Sequence, residues 1–173
     1  KIGALDKTSI TEYPGKVSAV VYTAGCNMKC PFCSKKDLVF IPEKYQYLSA
    51  DDILQYLNKR HGLLDGVVIS GGEPLIQDAL IPFIRQVKDA GYAVKLDTNG
   101  YRPEILKRLS SEGLLDYVAM DIKNAPDRYG DTTGIKRLNM LKIQDSIEFL
   151  MGGTIAYEFR TTVMREVTRP GRV

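Results

Sequence analysis

Cys26, Cys30 and Cys33 are the only cysteines in this 173-residue chain, and all three fall in the stretch AGCNMKCPFC that begins at Ala24. Three thiols cannot all pair into disulfides within one chain, and clustered thiols without an oxidising compartment more often bind metal. A structural zinc site needs four ligands, and a four-iron cluster normally takes four thiolates. The one histidine, His61, reads as a surface residue at a helix end. Three thiolates leave one coordination position open, and an open position on a metal invites a substrate or cofactor. A plain zinc or redox cysteine cluster stays open beside the iron–sulfur reading at this point.

Four further clusters could do chemistry. SGGEP (Ser70–Pro74) combines two residues without a side chain, Gly71 and Gly72, with the acceptor Glu73 and the rigid Pro74. Glycines let backbone approach a ligand closely, and a carboxylate pairs with a cationic amino group. The bland alternative is a glycine turn with a surface glutamate. DTNG (Asp97–Gly100) offers small oxygen donors at Asp97 and Thr98, and Asn99 with Gly100 could make a turn. MDIK (Met120–Lys123) brings Asp121 and Lys123, which could equally pair with each other. Arg160 stands in EFRTTV.

The elements that must position these residues alternate. Apolar, β-branched runs begin at Val17, Asp65, Tyr92, Leu115 and Ile155, the last reaching Met164. Between them lie helical patterns from Ser49 (a capping residue), Asp78 (Pro82 near the first turn, Gly91 at the end), Arg102 (Pro103 at the start) and Asn139. The segment from Asn124 to Ile135 is rich in turn formers and reads as a loop. Strand–helix alternation predicts an α/β fold with a parallel sheet and right-handed crossovers. Every unusual cluster directly follows a strand, which is the edge where parallel α/β folds build their sites. Five to six strands cannot close an eight-stranded barrel. The expectation is a partial TIM-like (βα) barrel, open on one side, forming a single domain over 1–173 that lacks its C-terminal strand or strands.

A net charge of +3 gives no electrostatic case for nucleic acid. The basic residues Arg160, Arg165, Arg169 and Arg172 read as a solvated tail. No run of about 18 apolar residues suggests a membrane span, and the first residues lack the apolar region of a signal peptide. A cytoplasmic protein is expected.

The C-x3-C-x-aromatic-C loop, with Phe32 as its aromatic, resembles the signature of the radical S-adenosylmethionine (radical SAM) enzymes. SGGEP stands where that superfamily has its Gly-Gly-Glu-Pro motif. The resemblance runs from GALDKTSITEYPGK to EFRTTV and is closest to the glycyl-radical-enzyme activases, in particular the activating protein of anaerobic ribonucleoside-triphosphate reductase. It implies a [4Fe-4S] cluster on Cys26, Cys30 and Cys33 whose open iron is chelated by SAM. It also implies SAM contacts from Asp121, Lys123 and Arg160, with Phe32 beside the adenine. Gly71, Gly72, Glu73 and Thr98 complete the implied cofactor site, Glu73 toward the methionyl ammonium. Lys123 and Arg160 suit the methionyl carboxylate, and Asp121 suits a ribose hydroxyl. Some activases place a monovalent cation where Asp97 stands. One departure is Ser34-Lys35 after the third cysteine, where many activases have His-Asn. The absence of further cysteines argues against ferredoxin-like inserts or auxiliary clusters.

The implied reaction is reductive cleavage of SAM and removal of a glycine α-hydrogen from a docked glycyl radical enzyme. A flavodoxin- or ferredoxin-type protein would donate the electron. Two alternatives are a small-metabolite radical SAM enzyme, such as a deazaguanine-forming carboxy-synthase, and a non-catalytic iron–sulfur or zinc-binding module.

Overall fold

The computed structural model describes residues 1–163. Met164, expected to end the last strand, and the basic residues Arg165, Arg169 and Arg172 lie outside the described residues. One six-stranded sheet runs β1 (Ile2–Ser9), β2 (Ser18–Thr23), β3 (Gly66–Gly71), β4 (Ala93–Thr98), β5 (Tyr117–Asp121) and β6 (Ala156–Arg160), in that spatial order. The pairs from β2 to β6 are parallel, whereas β1 pairs antiparallel with β2. The sheet is therefore not wholly parallel, and β1 is a strand that the sequence reading did not include. Its segment IGALDKTS is mostly half-buried or exposed, as an edge strand can be, so it lacks the continuous apolar run of a covered parallel strand.

Side-chain alternation divides the sheet into two faces. Val67, Ile69, Val94, Leu96, Val118 and Met120 are fully buried on the helix-covered face. Removing each such side chain from water stabilises the fold by about 1.5–3 kcal/mol. On the other face Tyr13, Val20 and Val68 form a smaller apolar cluster, partly covered by Tyr22, Ala93 and Tyr117. Farther along the same strands this inner face turns polar, through Ser70, Lys95, Asp97, Asp121 and Arg160.

A short helix, α1 (Lys36–Val39), follows the cysteine loop. Helix α2 (Ala50–Asn58) starts where the Ser49 hydroxyl accepts from the Asp51 N–H at 3.2 Å, and it buries Ile53 and Leu57. Helix α3 (Leu80–Asp89) packs Ile84 and Val87 into the core, and Gly91 at φ 84° reverses the chain after it. Helix α4 (Pro103–Ser111) begins on its proline, as expected. The expected loop after Asn124 instead contains a 3-10 turn at Pro126–Arg128 and a helix, α5 (Tyr129–Thr133). Burial of Tyr129 (1% exposed) and Thr133 (0%) outweighs the weak helix propensity of TYR-GLY-ASP-THR-THR taken alone. Helix α6 (Met140–Gly152) is capped by Asn139 and packs on α4.

Candidate active site

The carboxyl ends of the parallel strands enclose a cavity of about 330 Å³. It is lined by Cys26, Cys30, Cys33, Phe32, Gly71, Gly72, Thr98, Asp121, Lys123 and Arg160, among others. Ten residues singled out from the sequence thus meet in one place, although they come from five separate strand ends or loops.

The cysteine loop is held from two sides. Glu73 N–H donates to the Gly25 carbonyl and Gly72 N–H to the Thr23 carbonyl, both at 2.9 Å. A Cβ on Gly72 would lie 2.0 Å from the Gly25 oxygen, and one on Gly71 (φ 117°) would lie 2.3 Å from Thr23 backbone. The glycine pair is therefore required for the end of β3 to lie against the loop. On the other side Lys29 N–H donates to the Thr133 carbonyl at 2.9 Å, so α5 braces the loop.

All three cysteines are free and half-buried. Burial pushes the Cys26 thiol up to about 11, against the opposing Met28 N–H that donates to its sulfur at 3.3 Å. Among the described residues, no three His, Cys, Asp or Glu side chains converge tightly enough to hold a single metal ion. A [4Fe-4S] cluster makes no such demand, because each thiolate binds a different iron. The donor chemistry beside Cys26 also suits it. Asn27 Nδ2 is buried with no partner among the described residues, and the Asn99 side-chain amide donates to Asn27 Oδ1 at 2.8 Å and reaches Cys26 Sγ at 3.9 Å. The residues present fit the cluster.

Glu73 occupies an unexpected position. It is 1% exposed and does not line the cavity. Its Oε1 accepts from Leu75 N–H at 3.0 Å and from the Thr98 hydroxyl at 2.7 Å, and its Oε2 accepts from Asn99 N–H at 2.7 Å. Burial pushes its carboxyl up to about 7 despite these three bonds. The side chain ties the end of β3 to the end of β4.

The charged residues form one network. Asp97 Oδ1 accepts from the buried Lys95 ammonium at 2.6 Å and lies 3.3 Å from Arg160 Nη2, while Oδ2 accepts from the Ser70 hydroxyl at 2.9 Å. Asp121 accepts from Lys123 Nζ at 2.8 Å and lies 3.4 Å from Arg160 Nε. Burial alone would lower the Lys123 pKa, but adjacent Asp121 reverses this and leaves it raised. The monovalent cation expected near Asp97 is a poor match for this arrangement, because two cationic side chains already hold that carboxylate.

Three contributors carry no site role in the sequence reading. Lys95 was visible only as a charge inside an apolar run. Asn99 read as a turn residue. Lys35 was noted as a departure, yet it lines the cavity, stands 4.1 Å from the centre of the Tyr22 ring and has its pKa lowered by burial. His61 stacks on Tyr92 with ring centres 5.2 Å apart and takes no part in the cavity.

Residues 20–169 match the radical SAM superfamily. A candidate glycyl-radical enzyme activating enzyme of Methanocaldococcus jannaschii is 37% identical over 172 residues, covering 95% of this chain and 68% of that protein. A 7-carboxy-7-deazaguanine synthase of Koribacter versatilis is 30% identical over 162 residues, covering 92% of this chain and 65% of that one. The chain thus spans about two thirds of the length of these two relatives. In fold it is similar to QueE from Escherichia coli, with a TM-score of 0.56 at 14% identity, over 93% of this chain and 83% of that one. The family match takes in the cysteine loop and every strand end that lines the cavity, so this chain belongs to the radical SAM superfamily, with a [4Fe-4S] cluster and SAM as its cofactors.

Proposed function

We propose that this chain is the radical-generating portion of an activase that installs a glycyl radical on a partner enzyme. The partner that best suits the reading is anaerobic ribonucleoside-triphosphate reductase. The observation that carries it is the likeness to the M. jannaschii protein over nearly the whole chain.

In this reading Cys26, Cys30 and Cys33 hold the cluster, and Phe32 lies beside the adenine of SAM. When bound, the reduced cluster and SAM supply a carbon-centred radical able to take a hydrogen atom from a glycine Cα. The remaining work belongs to the protein: binding, orientation and exclusion of water. Lys123 and Arg160 meet the methionyl carboxylate, and their existing bonds to Asp121 and Asp97 keep them pointed into the cavity. Asp121 retains acceptor capacity for a ribose hydroxyl. Gly71 and Gly72 serve the wall by letting the end of β3 lie against the cysteine loop, and Thr98 adds a short side chain to the same wall. Glu73 serves this site through the bonds that hold Thr98 and Asn99, and only a rearranged side chain could reach an ammonium. The electron comes from a flavodoxin- or ferredoxin-type protein. Nucleic acid is not a partner at a net charge of +3. No helix among the described residues is long and apolar enough to cross a membrane, and a cytoplasmic setting suits both thiols and cluster.

A second reading is favoured by one specific observation. The cavity lining also includes Lys35, Ser70 and Asp97, a polar group suited to a small polar metabolite, and the K. versatilis synthase is a relative of this chain. The deciding experiment is anaerobic incubation of the full-length, cluster-loaded protein with SAM, a reductant and the reductase, followed by EPR. A glycyl radical doublet on the reductase supports the activase. SAM cleavage without that doublet, combined with conversion of a deazaguanine precursor, supports the second reading.

A further inference from the structure

We propose that Asn99 is a positioning residue for the cluster that also tunes its reduction potential through a hydrogen bond to the Cys26 sulfur. Its main chain is fixed by the Glu73 carboxylate at 2.7 Å, and its side-chain oxygen accepts from Tyr101 N–H at 3.0 Å. Asn99 is itself only 6% exposed. These contacts leave the Nδ2 amide facing the cysteine loop, where it bonds Asn27 Oδ1 at 2.8 Å and approaches Cys26 Sγ at 3.9 Å.

The chemistry of ligation strengthens that second contact. As a free thiol, Cys26 can donate to Asn27 Oδ1, 3.8 Å away. As a cluster ligand it is a thiolate and can only accept. Met28 N–H at 3.3 Å and the Asn99 amide are then its donors, while no comparable side-chain donor to Cys30 or Cys33 is present among the described residues. Hydrogen bonds to cluster sulfurs stabilise the more negative, reduced state and so raise the potential. One-electron reduction from the 2+ to the 1+ cluster, with dithionite as donor, is thus easier with Asn99 than without it.

This inference rests on the cluster assignment and not on the identity of the radical's target. The test is an EPR-monitored redox titration of full-length, reconstituted protein without SAM, comparing wild type with Asn99→Ala and Asn99→Asp. The alanine variant is expected to shift the reduction equilibrium about tenfold toward the oxidised cluster, which is 59 mV for one electron, and the aspartate variant further, because it adds negative charge. A fully loaded alanine variant with the wild-type potential overturns the proposal. Failure of wild type to load iron would instead refute the cluster itself. If the variants do not load, an Asn27→Asp protein labelled with 15N only in asparagine side-chain amides decides the matter by electron–nuclear double resonance, because the Asn27 amide beside Cys26 is then gone and Asn99 is the labelled donor at that sulfur. A nitrogen coupling to the reduced cluster is expected, and its absence overturns the proposal.

Discussion

Replacing Gly72 with alanine should separate the end of β3 from the cysteine loop. The new Cβ would lie 2.0 Å from the Gly25 carbonyl oxygen and 2.6 Å from its carbon, both backbone atoms that no rotamer change can move. Restoring ordinary contact at 3.4 Å requires 3.4 − 2.0 = 1.4 Å of displacement. The two bonds that dock the strand on the loop, each 2.9 Å, would stretch beyond hydrogen-bonding range. Losing them costs about 1 kcal/mol each, and overpacking adds about 1–3 kcal/mol. The total is about 3–5 kcal/mol, a fall of about 2 M in the urea midpoint for an m-value near 2 kcal/mol/M. Iron uptake should fall as well, because Cys26 follows Gly25 directly. Gly152→Ala is the control, since nothing lies within 4 Å of its added Cβ and it sits at the end of α6; it should change stability by less than about 1 kcal/mol. A Gly72→Ala protein with the wild-type midpoint and full iron content would refute the reasoning that the glycine pair exists for this close approach.

Three further outcomes are expected. Glu73 titrates near 7 when folded, above its ordinary value of 4.5, so the folded state holds its proton more tightly. Its contribution is greatest below pH 4.5 and is lost as pH rises to about 7, on the order of 3 kcal/mol in all; urea melts across that range should show this slope in wild type and lose it in Glu73→Gln. Lys95→Met leaves a buried carboxylate without its closest partner, 2.6 Å away, and should destabilise the protein by about 3 kcal/mol at any salt concentration, whereas breaking the exposed Lys107–Asp145 pair should cost below about 1 kcal/mol. Arg160→Met should weaken SAM binding to the loaded protein by about 10- to 100-fold, as expected when a charge-assisted contact worth about 1.5–3 kcal/mol is lost, measured as the SAM concentration that half-saturates the change in the cluster's EPR signal.

Much of the sheet could be read from the chain because β2 to β5 are covered on both faces over most of their length. Such strands appear as largely apolar runs, interrupted in β4 by Lys95, and each ends at a polar cluster. Strand β1 lies at the edge with exposed positions at Asp6, Lys7 and Thr8, so its pattern resembles a loop. Helix α5 is short and made of turn formers, and the burial of Tyr129 that creates it is a tertiary effect. In the site, residue types were legible and directions were not. Glu73 shows how far these diverge: a carboxylate after two glycines suggests a ligand aimed outward, yet three donors turn it inward. Lys95 and Asp97 share an inner face by simple alternation, and a lysine inside YAVKLDTNG was the available sign of it.

The central claim is that the strand-end cavity seats a cluster with one iron open to SAM. The most direct measurement is EPR of the reduced, anaerobically reconstituted full-length protein before and after adding SAM. The account predicts a [4Fe-4S]1+ signal whose g-values shift on addition of SAM, and loss of the signal when Cys26, Cys30 or Cys33 is replaced by alanine. A cluster signal that SAM leaves unchanged would contradict it.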